Sequence, residues 1–287
     1  MWQLWKMSAK GIVLAKAVGP MRHVDGVRMI RANPLSCFRP EVAIAMTKNI
    51  PALAHAVRKE PDVTIHASPL YAACYSIDDS GTLCCSVQQT RTLSDVLMLS
   101  EMGEGGFPVH TGIMSRGFVV AATVRAAVRA CRAERVILLG YSLGAAVAIV
   151  AGHVLALDLS FDDEVAIARG NAGSEKKNGL NGLVGSARIP PVYVSCMSAP
   201  NYARGTTPVS LPADALPPAL TIRHVVCRDD AVLYNPLTDR IGYTYPLTEP
   251  FTETVAALPG TSAIASHETY PMDDAVYYRN KCPGILI

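Results

Sequence analysis

The sequence predicts an α/β protein with a mostly parallel central sheet flanked by helices. Three runs of branched and apolar residues have the composition of buried parallel strands, at Val136–Leu139, Val192–Met197 and Thr221–Cys227. The first of them leads through a glycine-rich turn into a helical run of small residues that begins at Ala145. Strand patterns that alternate with helical ones are typical of parallel sheets with helical crossovers.

Length and composition narrow the class of protein. The 287 residues are enough for one large α/β domain with a sizeable core, or for two small domains. Hydrophobic residues make up 50% of the chain and charged residues 17%, which excludes a disordered protein. A net charge of +2, without basic clusters among aromatic residues, gives no indication of nucleic-acid binding. The seven histidines lack the spacing of metal ligands, so we expect no metal or other cofactor.

The cysteines indicate a reducing compartment. The chain has eight of them and no C-x-x-C pair. Four lie in apolar, strand-like runs where buried thiols are expected, namely Cys84, Cys85, Cys196 and Cys227. We therefore expect a cytoplasmic protein.

The N-terminal residues are apolar but do not resemble a signal peptide, because Lys6, Lys10 and Lys16 interrupt the hydrophobic run. We expect this segment to pack on the domain as a helix or a strand. The alternative is an amphipathic surface segment that associates with a membrane, with Trp2 and Trp5 as interfacial anchors.

Two segments differ in character from the rest. Residues 1–60 carry mixed helical patterns and are predicted to form an N-terminal helical extension packed on the core, with the α/β domain in 61–287. Asp158–Pro191 is rich in glycine, asparagine and charge, so a surface insertion at about 160–190 is predicted. Residues 241–245 are predicted to form a short edge strand.

The region before the central strand contains three predicted elements. A β-hairpin is predicted from two strand patterns, Tyr71–Ile77 and Thr82–Gln88, which lie on either side of a turn at 78–81. Residues 91–109 are apolar and broken by glycines, a pattern that fits either a lid or an ordinary connecting helix. Gly112–Glu134 is predicted to be a long helix.

The turn after the central strand carries the strongest chemical signal. Residues 140–144 match G-x-S-x-G, and in the order strand, turn, helix this motif predicts a nucleophile elbow with Ser142 as the nucleophile. Gly140 and Gly144 leave room where strand and helix crowd together. The Leu143 N–H, at the helix N-terminus, is expected to bind a developing oxyanion.

A membrane-spanning helix is the alternative for this region, because no charged residue lies between Arg135 and Asp158. We reject it because the glycines and Ser142 lie in the middle of the run and no aromatic belt flanks it.

A nucleophile elbow belongs to the α/β-hydrolase fold, in which the acid and the histidine follow the serine along the chain. Asp229 and Asp230 come directly after a predicted strand, and His267 is the only histidine that follows them. The carboxylates at 158, 162, 163 and 214 fit less well. His224 lies within a strand and His153 on the elbow helix, so both are predicted to be structural.

Several motifs over about residues 70–270 resemble those of the class 3 lipases, a branch of the α/β-hydrolases that includes the sn-1-specific diacylglycerol lipases. GYSLGAA resembles the GHSLGGA elbow of that family. Val109–Phe118 is similar to the segment that opens the preceding helix, and Val192–Gly205 to a later strand and loop.

The resemblance implies roles for further residues. Ile222–Pro236 is similar to the family's acid strand, which assigns the catalytic acid to Asp230, and the SHETY sequence supports His267 as the base. Thr90 matches the residue that binds the oxyanion together with Leu143. The strand before Thr90 ends in Val87-Gln88-Gln89, however, where the family has F-R-G.

The sequence thus predicts a lipase-type serine hydrolase of the α/β-hydrolase fold, which acts through an acyl-Ser142 intermediate. The resemblance implies acylglycerol substrates and contact with a lipid interface. Two alternatives remain open. One is an esterase or acyltransferase for small soluble acyl donors, and the other is a catalytically inactive lipase-fold protein used for binding.

Overall fold

A seven-stranded sheet forms the centre of the computed structural model. The structure describes residues 3–8, 11–16, 21–33, 36–37, 39–67, 71–77, 81–91, 95, 110–172, 190–200, 203–204, 219–227, 243–244 and 252–255. The sheet contains β3 (Val63–Ala67), β4 (Ala72–Ile77), β5 (Thr82–Val87), β6 (Arg135–Tyr141), β7 (Val192–Met197), β9 (Leu220–Cys227) and β11 (Thr252–Val255).

The sheet is mostly parallel, as predicted. Its strand order is β11–β9–β7–β6–β5–β4–β3, and the five strands from β11 to β5 run parallel. The strands β4 and β3 continue it in the antiparallel sense, so the predicted hairpin of β4 and β5 is confirmed. With the central strand β6 followed directly by a helix, this is the architecture of the α/β-hydrolase fold.

Two long helices cover one face of the sheet. They are α4 (Thr111–Cys131), close to its predicted bounds, and α5 (Leu143–Ala172). A Cβ atom at Gly117 would lie 2.5 Å from Val150 Cγ1, and one at Gly152 would lie 2.6 Å from Val194 Cγ2. The two glycines therefore let α5 approach both α4 and the sheet closely.

The helix α5 is longer than the sequence indicates. The linker-like composition from Asp158 suggested that the elbow helix ends there, whereas the structure continues it to Ala172. Alanine occurs three times in 158–172, and Leu159, Glu164 and Arg169 are also good helix formers, so the segment can continue the helix in spite of its charge. The remainder of the predicted insertion, 173–189, lies outside the described residues.

Three short helices from the N-terminal part pack on the opposite face of the sheet. They are α1 (His23–Ala32), α2 (Pro40–Thr47) and α3 (Ile50–Val57). Large side chains of the helices, such as Met46 and Leu53, share one buried cluster with sheet residues such as Tyr75. The N-terminal helices therefore complete the core on this side.

The first residues form strands, which is one of the two alternatives expected for the N-terminal segment but differs from the helical extension predicted for 1–60. The strands β1 (Gln3–Ser8) and β2 (Gly11–Lys16) form an antiparallel hairpin. The adjacent β-branched residues Ile12 and Val13 favour strand, and pairing with β1 supplies the backbone hydrogen bonds. The sequence pattern of one segment does not show that a second strand is available to pair with it.

A second small ribbon lies outside the central sheet. The strand β10 (Tyr243–Thr244) falls within the predicted short strand at 241–245, but it pairs with β8 (Ala203–Arg204). It is therefore not an edge of the main sheet.

Candidate active site

The strained residue of the predicted elbow is Ser142. It lies between the end of β6 at Tyr141 and the start of α5 at Leu143, with a φ of +54°. A left-handed backbone at a residue other than glycine costs about 1–2 kcal/mol and persists only where the surroundings enforce it. Here the Ser142 N–H donates to Met197 O at 2.9 Å, and Ser142 O accepts from Ala145 N at 2.9 Å. The backbone on both sides thus holds the turn.

Both elbow glycines lie where no side chain fits. A Cβ atom at Gly140 would lie 2.5 Å from both Ala145 Cα and Gly144 O. One at Gly144 would lie 2.6 Å from Val87 O and 2.8 Å from Gln88 O. These obstacles are backbone atoms, which cannot rotate away as the end of a side chain can. The expected crowding of strand and helix is therefore present.

The same contact brings the end of β5 against the first turn of α5. Gln88 touches Gly144 through its backbone, and Thr90 follows two residues later as a half-buried residue. Leu143 is the first residue of α5, so its N–H has no acceptor within the helix, while its side chain is fully buried. The segment with Thr90 and the turn with Ser142 are thus neighbours at one edge of the sheet.

The other predicted members of the triad, Asp230 and His267, lie outside the described residues, as does the competing Asp229. The neighbouring strand ends are described. Tyr141 pairs in register with Met197, and Met197 with Val225. The carboxyl ends of β6, β7 and β9 therefore share the edge of the sheet where Ser142 lies, and a triad on this fold uses that edge.

Of the predicted lid, the structure describes only Arg91 and Asp95 within 91–109. Asp95 is buried and accepts a hydrogen bond from Arg91 N at 2.8 Å. Its other oxygen lies 2.6 Å from Arg116 Nη1, and the Arg116 guanidinium stacks 4.2 Å from the centre of the Tyr71 ring. Sequence reasoning missed this pair, because its residues belong to different elements and nothing in their local pattern marks a partner.

His224 lies inside the core, and its imidazole bonds to the backbone, as expected of a structural histidine. His224 is fully buried, and its Nε2 accepts a hydrogen bond from Ala199 N at 3.1 Å. Burial lowers the pKa of His224 to about 3, so the imidazole is neutral at pH 7. Burial also lowers the pKa of His153 on α5.

The cysteines whose side chains the structure describes form no disulfide, and Cys84, Cys85 and Cys196 are buried as predicted. Burial raises the pKa of the Cys84 thiol to about 12 and that of Cys196 well above its ordinary value. Thiols of this kind are poor nucleophiles, because the reactive thiolate is suppressed. They serve as small core side chains.

The described part of the chain contains neither a metal site nor a membrane-spanning helix. Its side chains include no cluster of histidine, cysteine and acidic residues able to hold a metal ion. None of its helices combines the length and the apolar character needed to cross a bilayer.

The comparisons with known proteins concern structure alone, since neither a family model nor a curated protein matches the sequence. A lipase from Rhizopus microsporus var. chinensis is 15% identical over 84% of this chain and 85% of its own, with a TM-score of 0.44. Rhizomucor miehei triacylglyceride lipase is 16% identical over 88% of this chain and 95% of its own, with a TM-score of 0.44. Lipase II from Rhizopus niveus is 16% identical over 84% and 80%, with a TM-score of 0.38. The chain is similar in fold to these fungal lipases.

Proposed function

We propose that this chain is a serine hydrolase of the lipase type, which cleaves carboxylic esters through an acyl-Ser142 intermediate. The observation that carries the proposal is the backbone of Ser142. Its φ of +54° is enforced between a buried parallel strand and a helix N-terminus, beside two glycines that have no room for a side chain. Strain of this kind at a polar residue is typical of functional sites.

In the proposed reaction, Ser142 Oγ attacks the ester carbonyl while His267 accepts its proton, and Asp230 orients and stabilises the imidazolium. The resulting oxyanion is bound by the backbone N–H groups of Leu143 and Thr90. The alcohol leaves with the proton from His267. Water then hydrolyses the acyl-enzyme by the same steps, which restores Ser142.

We further propose that the substrates are acylglycerols and that the enzyme acts at a lipid or membrane interface. Residues 91–109 would then form a lid. The motif resemblance supports this substrate class, and the apolar composition of 91–109 fits an interfacial lid. The buried free thiols support the expectation of a reducing, cytoplasmic environment.

A catalytically inactive lipase fold is the second candidate, because the strand before Thr90 ends in Gln88-Gln89. The decisive measurement is covalent labelling by a fluorophosphonate probe, with detergent present to open a lid. We expect the wild type to be labelled and Ser142→Gly and His267→Ala to be unlabelled. Glycine is chosen at 142 because it removes the hydroxyl and accommodates the positive φ. A folded but unlabelled wild type would favour the binding protein.

Hydrolysis of p-nitrophenyl esters then tests the assignment of the acid. Asp230→Asn should lower kcat by about 10³-fold or more, because it removes the carboxylate that holds the base. Asp229→Asn is the matched control and should change kcat only a few-fold. The reverse ranking would transfer the role to Asp229. Triacylglycerol emulsions compared with soluble esters distinguish a lipase from an esterase.

A further inference from the structure

Gln88, one of the residues that depart from the lipase pattern, has a defined place in the structure. It follows β5, and only 5% of its surface is exposed. Its Oε1 accepts a hydrogen bond from Ile50 N at 2.9 Å, and its Nε2 donates one to Lys48 O at 3.2 Å. Both ends of the side-chain amide are therefore bonded to the backbone of a segment 38 to 40 residues away.

The two partners of Gln88 are backbone groups that the helices leave without a partner. Lys48 caps the C-terminus of α2, and Ile50 is the first residue of α3. Within a helix, the last carbonyls have no donor and the first N–H groups have no acceptor. One glutamine amide supplies a donor for the first helix and an acceptor for the second. Gln89 N adds a longer bond of 3.4 Å to Thr47 O.

The backbone of Gln88 faces the predicted elbow. A Cβ atom at Gly144 would lie 2.8 Å from Gln88 O and 3.0 Å from Gln88 C, so Gly144 rests on this peptide group. Gly144 is two residues after Ser142, and Thr90 is two residues after Gln88. Gln88 therefore lies between the turn joining α2 to α3 on one side and the first turn of α5 on the other.

We propose that Gln88 is a positioning residue, through which the N-terminal helices hold the Thr90 segment in place against the Ser142 turn. The inference rests on the proposed function, because Thr90 is taken as an oxyanion donor. It gives the glutamine a role in the active site although it touches no reacting atom. It also makes residues 40–57 part of the catalytic architecture.

Three hydrogen bonds join Gln88 and Gln89 to residues 47–50, and we call them the clamp. Their chemistry explains why an amide is needed at position 88. Methionine has a similar length but no donor and only a weakly accepting sulfur, so Gln88→Met leaves the buried Ile50 N–H and the part-buried Lys48 C=O without this partner. The Thr90 segment then loses its tie to α2 and α3. Oxyanion donors act only from a well-defined position, so the loss should appear in kcat rather than in KM.

The matched control is the next residue. Gln89 contributes its backbone N–H to the clamp, whereas its side-chain Oε1 has no hydrogen-bond partner among the described residues. Gln89→Met therefore changes the same side chain type one position along and leaves the clamp intact.

The experiment compares kcat, KM and thermal unfolding for wild type, Gln88→Met and Gln89→Met on a soluble p-nitrophenyl ester. We expect kcat to fall on the order of tenfold or more in Gln88→Met, with KM within about twofold. Gln89→Met, which keeps the backbone bond to Thr47 O, should lower kcat at least about fivefold less than Gln88→Met does. Amide hydrogen exchange of 86–91 should accelerate only in Gln88→Met, a readout that does not depend on activity.

The outcomes separate the two proposals. An unlabelled and inactive wild type overturns the proposed function. An active wild type whose folded Gln88→Met variant matches Gln89→Met in kcat and in hydrogen exchange overturns the role of Gln88. Should Gln88→Met not fold, Gln88→Asn, which keeps the amide but shortens the reach, is measured in the same way. Unchanged kcat in that folded variant overturns the inference equally.

Discussion

The two faces of the central sheet are held by different physical means. On the side of α4 and α5, glycines allow close approach. An added Cβ atom would lie 2.5–2.6 Å from backbone atoms at Gly140 and Gly144, and 2.5–2.6 Å from valine side chains at Gly117 and Gly152. On the N-terminal side, large side chains fill the space between α1–α3 and the sheet. There, directional hydrogen bonds such as those of Gln88 join the layers.

This difference indicates which kinds of substitution each face of the sheet tolerates. Backbone packed on backbone has no rotamer with which to relieve a clash, so the predicted elbow is fixed by shape. Large side chains can adjust, and a lost hydrogen bond costs a limited amount. On the face covered by α4 and α5, added side-chain volume should therefore reduce stability most. On the face covered by α1–α3, the loss of a hydrogen-bond partner should have the larger effect.

The largest effect is expected from adding one methyl group at Gly144. In Gly144→Ala the new Cβ meets Val87 O at 2.6 Å and Gln88 O at 2.8 Å, both backbone atoms. We expect a loss of about 3 kcal/mol or more in the free energy of unfolding, measured in urea.

Gly26→Ala is the matched control on the N-terminal face. Its Cβ would meet Met46 Sδ at 2.7 Å, the flexible part of a side chain, while alanine favours helix α1. We expect a change within about 1 kcal/mol. Equal losses in the two variants would contradict the contrast between the faces.

A smaller effect is expected from the buried imidazole of His224. Its pKa is about 3 in the folded chain against 6.5 for the free side chain, so between these values the unfolded chain binds a proton that the folded chain does not. This contribution to stability is fully present above pH 6.5 and decreases as the pH falls toward 3.

His224→Gln isolates that contribution, because a glutamine oxygen can accept from Ala199 N and does not titrate. Between pH 7 and pH 4.5 the wild type should lose about 2 kcal/mol more than the variant. Parallel pH profiles from chemical unfolding would show that the imidazole is not held neutral.

The smallest effect is expected where one polar contact is removed from the N-terminal face. Ser195 Oγ donates to Cys37 O at 2.9 Å in a fully buried site. Ser195→Ala leaves that carbonyl without its donor and should cost about 1–2 kcal/mol. Thr123→Ala on α4 is the control, since its bond to Val119 O is exposed and water replaces it. An equal loss in the free energy of unfolding in Thr123→Ala and Ser195→Ala would contradict the expected effect of burial.

Features that depend on residues close together in the sequence were predictable, whereas features that depend on distant residues were not. The hairpin of β4 and β5, the strands β6, β7 and β9, and the helix after Ser142 all follow from residues within one or two elements. The hairpin at 3–16 did not, because helix and strand patterns were not distinguishable without its pairing partner. The end of α5 did not, because charge within 158–172 concealed its helical propensity.

The candidate site divides in the same way. The strained turn at Ser142, with Gly140 and Gly144, is a steric requirement among neighbouring residues, so the local pattern of amino acids is enough to reveal it. The clamp of Gln88 on α2 and α3, and the pair of Asp95 with Arg116, depend on which backbone groups the folded layers bring opposite each other. A glutamine amide or a carboxylate bonds equally well to many partners, so its residue type does not identify the one it has. Sheet register and helix packing make that choice.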